Sequence, residues 1–204
     1  IIITSRRIPD FIPLTKHKPL GGLTLADTRS LLAKRGVRLP REQLEGLVAR
    51  TEGNAELLML TVNALENTQD RRSLLDNLIK TDDIERYLLN TVDRGLHDDE
   101  RQVMNGVAAL LGYPGTRGAI EEVLGGMSIR RQLAYLTNRY LLRLEGKLER
   151  KYGQHPIVQA FYYDLLSQRE RQELHRRAGE YYEHTEGDEL KAALHFAHAG
   201  EDTH

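Results

Sequence analysis

A chain of 204 residues with 40% hydrophobic content holds enough apolar material for one large domain or roughly two to three small ones, and 29% charged residues suits a solvated surface. The absence of cysteine excludes a disulfide framework and thiolate metal centres and accords with a reducing, cytoplasmic setting. A net charge of −1 gives no overall pull toward nucleic acid or anionic membrane, and no apolar run is long enough to cross a bilayer or serve as a signal-peptide core.

The chain opens on Ile1, Ile2 and Ile3 followed by Thr4, Ser5, Arg6 and Arg7. A short branched apolar run suits a strand covered on both faces, as in a parallel sheet, but the sequence has no second run of that kind. The opening therefore reads as a remnant strand of an α/β core (1–23) recorded from inside a longer polypeptide.

Thr24 with Asp27 three residues on forms a capping signature, and Leu25, Thr28, Leu31 and Leu32 give a helical stripe stopped by Gly36. A second helix opens near Pro40, carries Leu44, Leu47 and Val48, and ends around Gly53. Asn54 is placed to cap ELLMLTVNAL, and RRSLLDNLIK follows with Leu74, Leu75, Leu78 and Ile79 on one side. Residues 24–81 thus read as a small helical bundle.

The segment 82–160 starts with DDIERYLLNTV and continues into a helix capped by Asp98 or Asp99 and ended by Gly112 and Pro114. TRGAIEEVL is a short helix stopped by Gly125 and Gly126, and Ser128 is read as the cap of SIRRQLAYLTNRYLL. The period then changes to alternation through Leu142 and Leu144, a turn at Glu145, Gly146 and Lys147, and a second strand from Leu148 to Tyr152. Three helices and a β-hairpin in this order predict a winged helix. The last segment, 161–204, is helical again, with Ala178, Gly179, Ala192, Ala193, Ala197 and Ala199 spaced for close packing, as at the start of a helical repeat array. The expected fold class is mainly α: bundle, winged helix and helical hairpin, preceded by the remnant strand.

The order of these motifs resembles the C-terminal part of the nucleotide-binding module of STAND-type, NB-ARC-like signalling ATPases: TSR at a strand end, LGGL before a helix, TEGN before an aliphatic helix, a winged helix, then HPIVQAF and an Ala-rich hairpin. The resemblance covers nearly the whole chain. It implies an ATP/ADP-operated signal-transduction switch, with magnesium in the intact protein, in which helical and winged-helix subdomains fold over the nucleotide ahead of a tetratricopeptide-like array. The implied partners are an upstream P-loop domain of the same polypeptide, a protein ligand for the repeats, and further copies of the parent.

That resemblance makes Arg6 the counterpart of the family's sensor arginine, at the carboxyl end of a parallel strand where open α/β sheets bind ligands. A guanidinium there can grip a phosphate through two parallel hydrogen bonds. Gly53 and Asn54 match the family segment Gly-X-Pro, whose proline lies near the adenine, but Ala55 stands in the proline's place. From the residues alone, Gly53 is a left-handed helix stop and Asn54 an N-cap. Pro156 suits a first helical position, which puts His155 at a helix N-terminus that favours anions. In the family the histidine at this point contacts the ADP β-phosphate and latches the closed state, whereas the residues alone are equally served by a capping histidine.

Other groupings are weaker. His195 and His198 share a helix face without a third ligand of obvious spacing, so packing is expected of them. The pairs Tyr162, Tyr163 and Tyr181, Tyr182 read as core aromatics. The one Gly-Lys, Gly146-Lys147, is followed by Leu148 and has Leu141 where a P-loop needs its first glycine, so the chain alone is not expected to hydrolyse ATP. The competing class is a DNA-binding winged helix. Arg130, Arg131, Arg139, Arg143, Lys147, Arg150 and Lys151 outnumber Glu145 and Glu149 across 128–151, although no dimerisation element is visible. A structural adaptor with a decayed nucleotide site is the third.

Overall fold

The computed structural model describes residues 21–146 and 149–200. The expected strand at Ile1–Ile3 and the sensor candidate Arg6 lie outside the described residues. Over the described residues the fold is mainly α-helical, with one small three-stranded sheet.

Five helices build the first part: α1 (Leu25–Lys34), α2 (Arg41–Thr51), α3 (Ala55–Asn67), α4 (Arg71–Lys80) and α5 (Ile84–Arg94). Thr24 caps α1 as expected, accepting from the Asp27 N–H at 3.2 Å, while its hydroxyl donates to the Asp27 carboxylate at 2.6 Å. The stripe on α3 is not one-sided. Leu57, Leu58, Leu60, Thr61, Val62, Asn63, Ala64 and Leu65 are all buried, so α3 is the central helix around which the others pack. A helix apolar on all sides can only be stable in that position. Thr61 and Asn63 meet their polar needs within the helix by donating to carbonyls four residues back.

The second part runs α6 (Asp98–Ala108), β1 (Gly115–Thr116), α7 (Arg117–Val123), α8 (Arg130–Asn138), β2 (Arg143–Glu145), β3 (Lys151–Gly153) and α9 (Pro156–Leu165). The strands are antiparallel in the order β1-β3-β2, with Tyr152 opposite both Gly115 and Leu144. Helix, strand, two helices and a strand pair in this topology make a winged helix. Gly146, at φ 87°, begins the turn of the wing.

Several boundaries differ from the sequence reading. The cap of α6 is His97, whose N–H donates to Glu100 at 2.8 Å, and Asp98 and Asp99 fall in the first turn, where their charge suits the helix dipole. α6 also ends at Ala108, well before Gly112 and Pro114, through a turn in which Leu111 and Gly112 both have positive φ. Ile129, fully buried, is the residue before α8 in place of Ser128. The second wing strand is shorter than Leu148–Tyr152, and Leu148 lies outside the described residues.

The chain ends in a hairpin of α10 (Gln168–Tyr181), a π-helical turn (Tyr182–Glu186) and α11 (Glu189–Ala199). Of the small residues expected at its interface, Ala178, Gly179, Ala192 and Ala199 are buried, and Gly179 must be glycine because a Cβ there would meet the Phe196 ring. Ala193 and Ala197 are exposed, since they lie on the outer face of α11. Buried apolar side chains form one cluster extending from Leu32 through the winged helix to Ala192, so all these parts share a core.

The joint between α3 and the winged helix is polar. Arg139, 8% exposed at the end of α8, donates through Nε to Asn63 Oδ1 (3.0 Å), through one terminal nitrogen to the Asn63 carbonyl (3.2 Å), and through the other to the Tyr135 hydroxyl (2.5 Å). Asn63 Nδ2 returns a bond to the Arg139 carbonyl at 2.8 Å. A buried guanidinium is tolerated only when its donors are met, and here each is. Replacing Asn63 with Ala strands that charge, and hydrogen bonds to charged groups contribute about 1.5–3 kcal/mol each. Asn63→Ala is therefore expected to lower unfolding stability by roughly 3 kcal/mol in a urea titration at neutral pH, and Thr61→Ala, which strands no charge, by less.

Candidate functional site

Gly53 and Asn54 lie together at the α2–α3 turn. Glu52 and Gly53 are both left-handed, at φ 52° and 67°, so the reversal uses two residues where the sequence reading assigned one. Asn54 is the cap of α3, its Oδ1 accepting from the Glu56 N–H at 2.9 Å and the Leu57 N–H at 3.3 Å. Backbone presses on backbone here: the Leu23 N–H donates to the Gly53 carbonyl at 2.8 Å. A Cβ on Gly53 would run into Leu23, and one on Gly22 into the Glu52 carbonyl. The LGGL and TEGN motifs are thus two sides of one contact. Beside it opens a cavity of about 550 Å³ lined by Gly21, Gly22, Arg50, Asn54, Ala55 and Ile84, among others. Arg50 closes one side by donating to the Thr81 carbonyl.

His155 is half-buried and caps α9, with Pro156 at the first helical position. Its Nδ1 accepts from the Ile157 N–H at 3.4 Å. That bond requires Nδ1 to be unprotonated, so in the neutral ring the proton is on Nε2, the nitrogen able to donate to an anion.

The two places are linked by a residue that the sequence reading had counted only as part of a basic stripe. Arg143, in β2, donates to the Gln154 carbonyl at 2.8 Å, one residue before His155. Its positive charge also acts on Glu56 in the first turn of α3, opposing the burial that raises the Glu56 pKa. Gln154 is itself buried and donates to the Met104 carbonyl at 3.0 Å, fixing the start of α9 on α6. A run of polar groups therefore extends from Asn54 and Glu56, through Arg143, to Gln154 and His155. No hydrophobic period could have revealed it, because Arg143 flanks its strand as any exposed cation would.

The remaining candidates separate. Arg139, central to the basic stripe, is turned inward onto Asn63, and Lys147 lies outside the described residues. Arg130, Arg131, Arg143 and Arg150 are exposed. Among the described residues no cluster of three or more His, Asp or Glu side chains could hold a metal ion, and no helix is long and apolar enough to cross a membrane. His195 is fully buried, as a packing role requires, and His198 is exposed. No protein-family model matches the chain, and no curated protein is significantly similar to it.

The geometry at Gly53 predicts a graded response. Asn54→Ala removes a cap and is expected to cost about 1 kcal/mol. Gly53→Ala combines a left-handed penalty of roughly 1–2 kcal/mol with a collision against Leu23. It should be the more destabilising of the two by chemical denaturation, and should raise the susceptibility of the segment around Leu23 to limited proteolysis.

Proposed function

We propose that the chain is the regulatory portion of a nucleotide-operated signalling switch of the STAND type, acting in the cytoplasm, in which the winged helix closes over ADP held by a P-loop domain of the same polypeptide. The observation that carries the reading is the polar run from Asn54 and Glu56 through Arg143 to His155, which couples the α2–α3 turn to the start of α9. The fit of an adenine nucleotide is supported by the cavity beside Gly53, whose glycine walls admit a ligand close to backbone, and by a histidine with its donor nitrogen at a helix N-terminus. ATP or ADP with magnesium would supply the phosphate charge that distinguishes the two states. In this chain His155 would donate from Nε2 to a phosphate oxygen, Arg143 would hold the His155 turn in place, and Arg6 would report the γ-phosphate. The chain alone carries no P-loop signature and is proposed to have no ATPase activity. The hairpin α10–α11 would open a repeat array for a protein ligand, and self-association of the parent would follow opening.

The winged-helix DNA reader is the weaker reading, because Arg139 is spent on Asn63 and not presented on the surface of α8. The test uses the longer polypeptide with its P-loop domain. A hydrogen bond to a charged group contributes about 1.5–3 kcal/mol, so His155→Ala should accelerate ADP release and raise basal output by roughly ten- to a hundredfold. Arg6→Ala should instead weaken the response to ATP. Unchanged ADP release and output in His155→Ala would reduce His155 to a helix cap and remove the reading's main support.

A further inference from the structure

Helix α10 is the most polar in the chain, yet at its centre His175 is completely buried, facing an equally buried His195 on α11. The two rings meet through Nδ1 and Nδ1 at 2.9 Å, and His175 Nε2 lies 2.9 Å from the Tyr163 hydroxyl on α9. Tyr182, from the π-helical turn, stacks on His195 with ring centres 5.4 Å apart and planes 10° apart, and the His198 ring lies 5.0 Å from that of His175. His195 Nε2 is buried without a hydrogen-bond partner.

Two facing Nδ1 atoms can form a hydrogen bond only with one proton between them. If His195 donates to His175, then His175 Nε2 donates to Tyr163 and the unmet atom, His195 Nε2, is an acceptor. That is less costly than an orphaned buried N–H, which the opposite arrangement would leave. In either arrangement both rings are neutral. A further proton must go onto a buried nitrogen with no acceptor, or between the two Nδ1 atoms, where it breaks their bond.

The charged surroundings oppose that proton from each packed element. On α10, Arg171 lies over the Tyr163 ring at 4.5 Å. On α11, Lys191 lies over the Tyr182 ring at 4.9 Å, and His198 faces His175. On α9 the facing group is the Tyr163 hydroxyl, and on the π-helical turn it is Tyr182. Glu186 and Asp188 are engaged by Lys191, at 3.9 and 2.8 Å. On α7 the carboxylate Glu121 is engaged by Arg117 at 3.6 Å. Among the described residues no carboxylate pairs with either buried imidazole.

We propose that the His175–His195 pair is an acid-sensitive catch, which holds the α10–α11 hairpin closed at neutral pH and releases it when either ring is protonated. Burial, reinforced for His175 by His195, His198 and Arg171 and for His195 by His198 and Lys191, lowers both rings from the ordinary 6.5 to about 4. The folded hairpin therefore binds fewer protons than the open one below about pH 6.5. Its stability is complete above that value and falls as the pH drops toward 4. The catch is independent of the nucleotide reading, because it needs only α9, α10, the π-helical turn and α11.

The test is hydrogen exchange on the full chain between pH 7 and 4.5, corrected for the intrinsic pH dependence of exchange. Protection of the α10–α11 amides should fall at least about tenfold more than that of α2–α3, the size expected from even one ring whose proton affinity differs this much between states. His195→Phe, which keeps an aromatic ring against Tyr182 but cannot titrate, should flatten the fall. A parallel NMR titration of the native chain should show both rings neutral at pH 5.5. Protection independent of pH, an equal fall in His195→Phe, or both rings protonating near pH 6.5 with the hairpin intact would each overturn the proposal. The native-chain titration decides the matter even if the variant does not fold.

Discussion

The reciprocal contact between Arg139 and Asn63 is the constraint on which the arrangement of the two largest parts depends. Apolar contacts alone would let the winged helix slide over α3, because hydrophobic burial is not directional. A planar guanidinium that needs an amide oxygen, a carbonyl and a phenol in fixed places has one satisfactory register. The amide of Asn63 answers from the other side, so each partner orients the other. Because α3 is buried on nearly every face, fixing α8 to α3 also fixes it relative to α4 and α5.

From that register the position of the candidate site follows. With α8 held, the wing strand β2 emerges beside the first turn of α3, and Arg143 can act on Glu56 while bonding the Gln154 carbonyl. Gln154 then ties the start of α9 to α6, and Gln159 repeats the attachment one turn later by donating to the Ala108 carbonyl at 3.0 Å. The orientation of His155 is thus set by amide side chains gripping helix carbonyls, which gives a more exact placement than a loop could.

Much of the fold was legible in the residues, and the parts that were not share a cause. Thr24 and Asn54 announced their helices because a short polar side chain before an aliphatic run has one local use. His97 and Ile129 did not: histidine and isoleucine carry no general capping signal, and neighbouring Asp98 and Ser128 do. β1 escaped because two residues have no period. The burial of Arg139 and His175 could not be read at all. Each lies in a polar stretch, and what draws it inward is a partner 76 or 20 positions away in sequence. For the site, Gly53, Asn54 and His155 were visible as local helix-end chemistry, while Arg143, which relates them, was visible only as one more positive charge.

The contact between Gly22 and Gly53 has a mechanical meaning beyond its tightness. Side chains absorb small displacements by changing rotamer, but two backbones pressed together without Cβ atoms between them have no such slack. A shift of the chain immediately before Leu23 must therefore push directly on the α2–α3 turn, and from there along the axis of the buried helix α3 to the residue that grips Arg139. The glycine pair acts as a rigid pushrod seat, through which movement on one side of the bundle reaches the winged helix with little loss of amplitude.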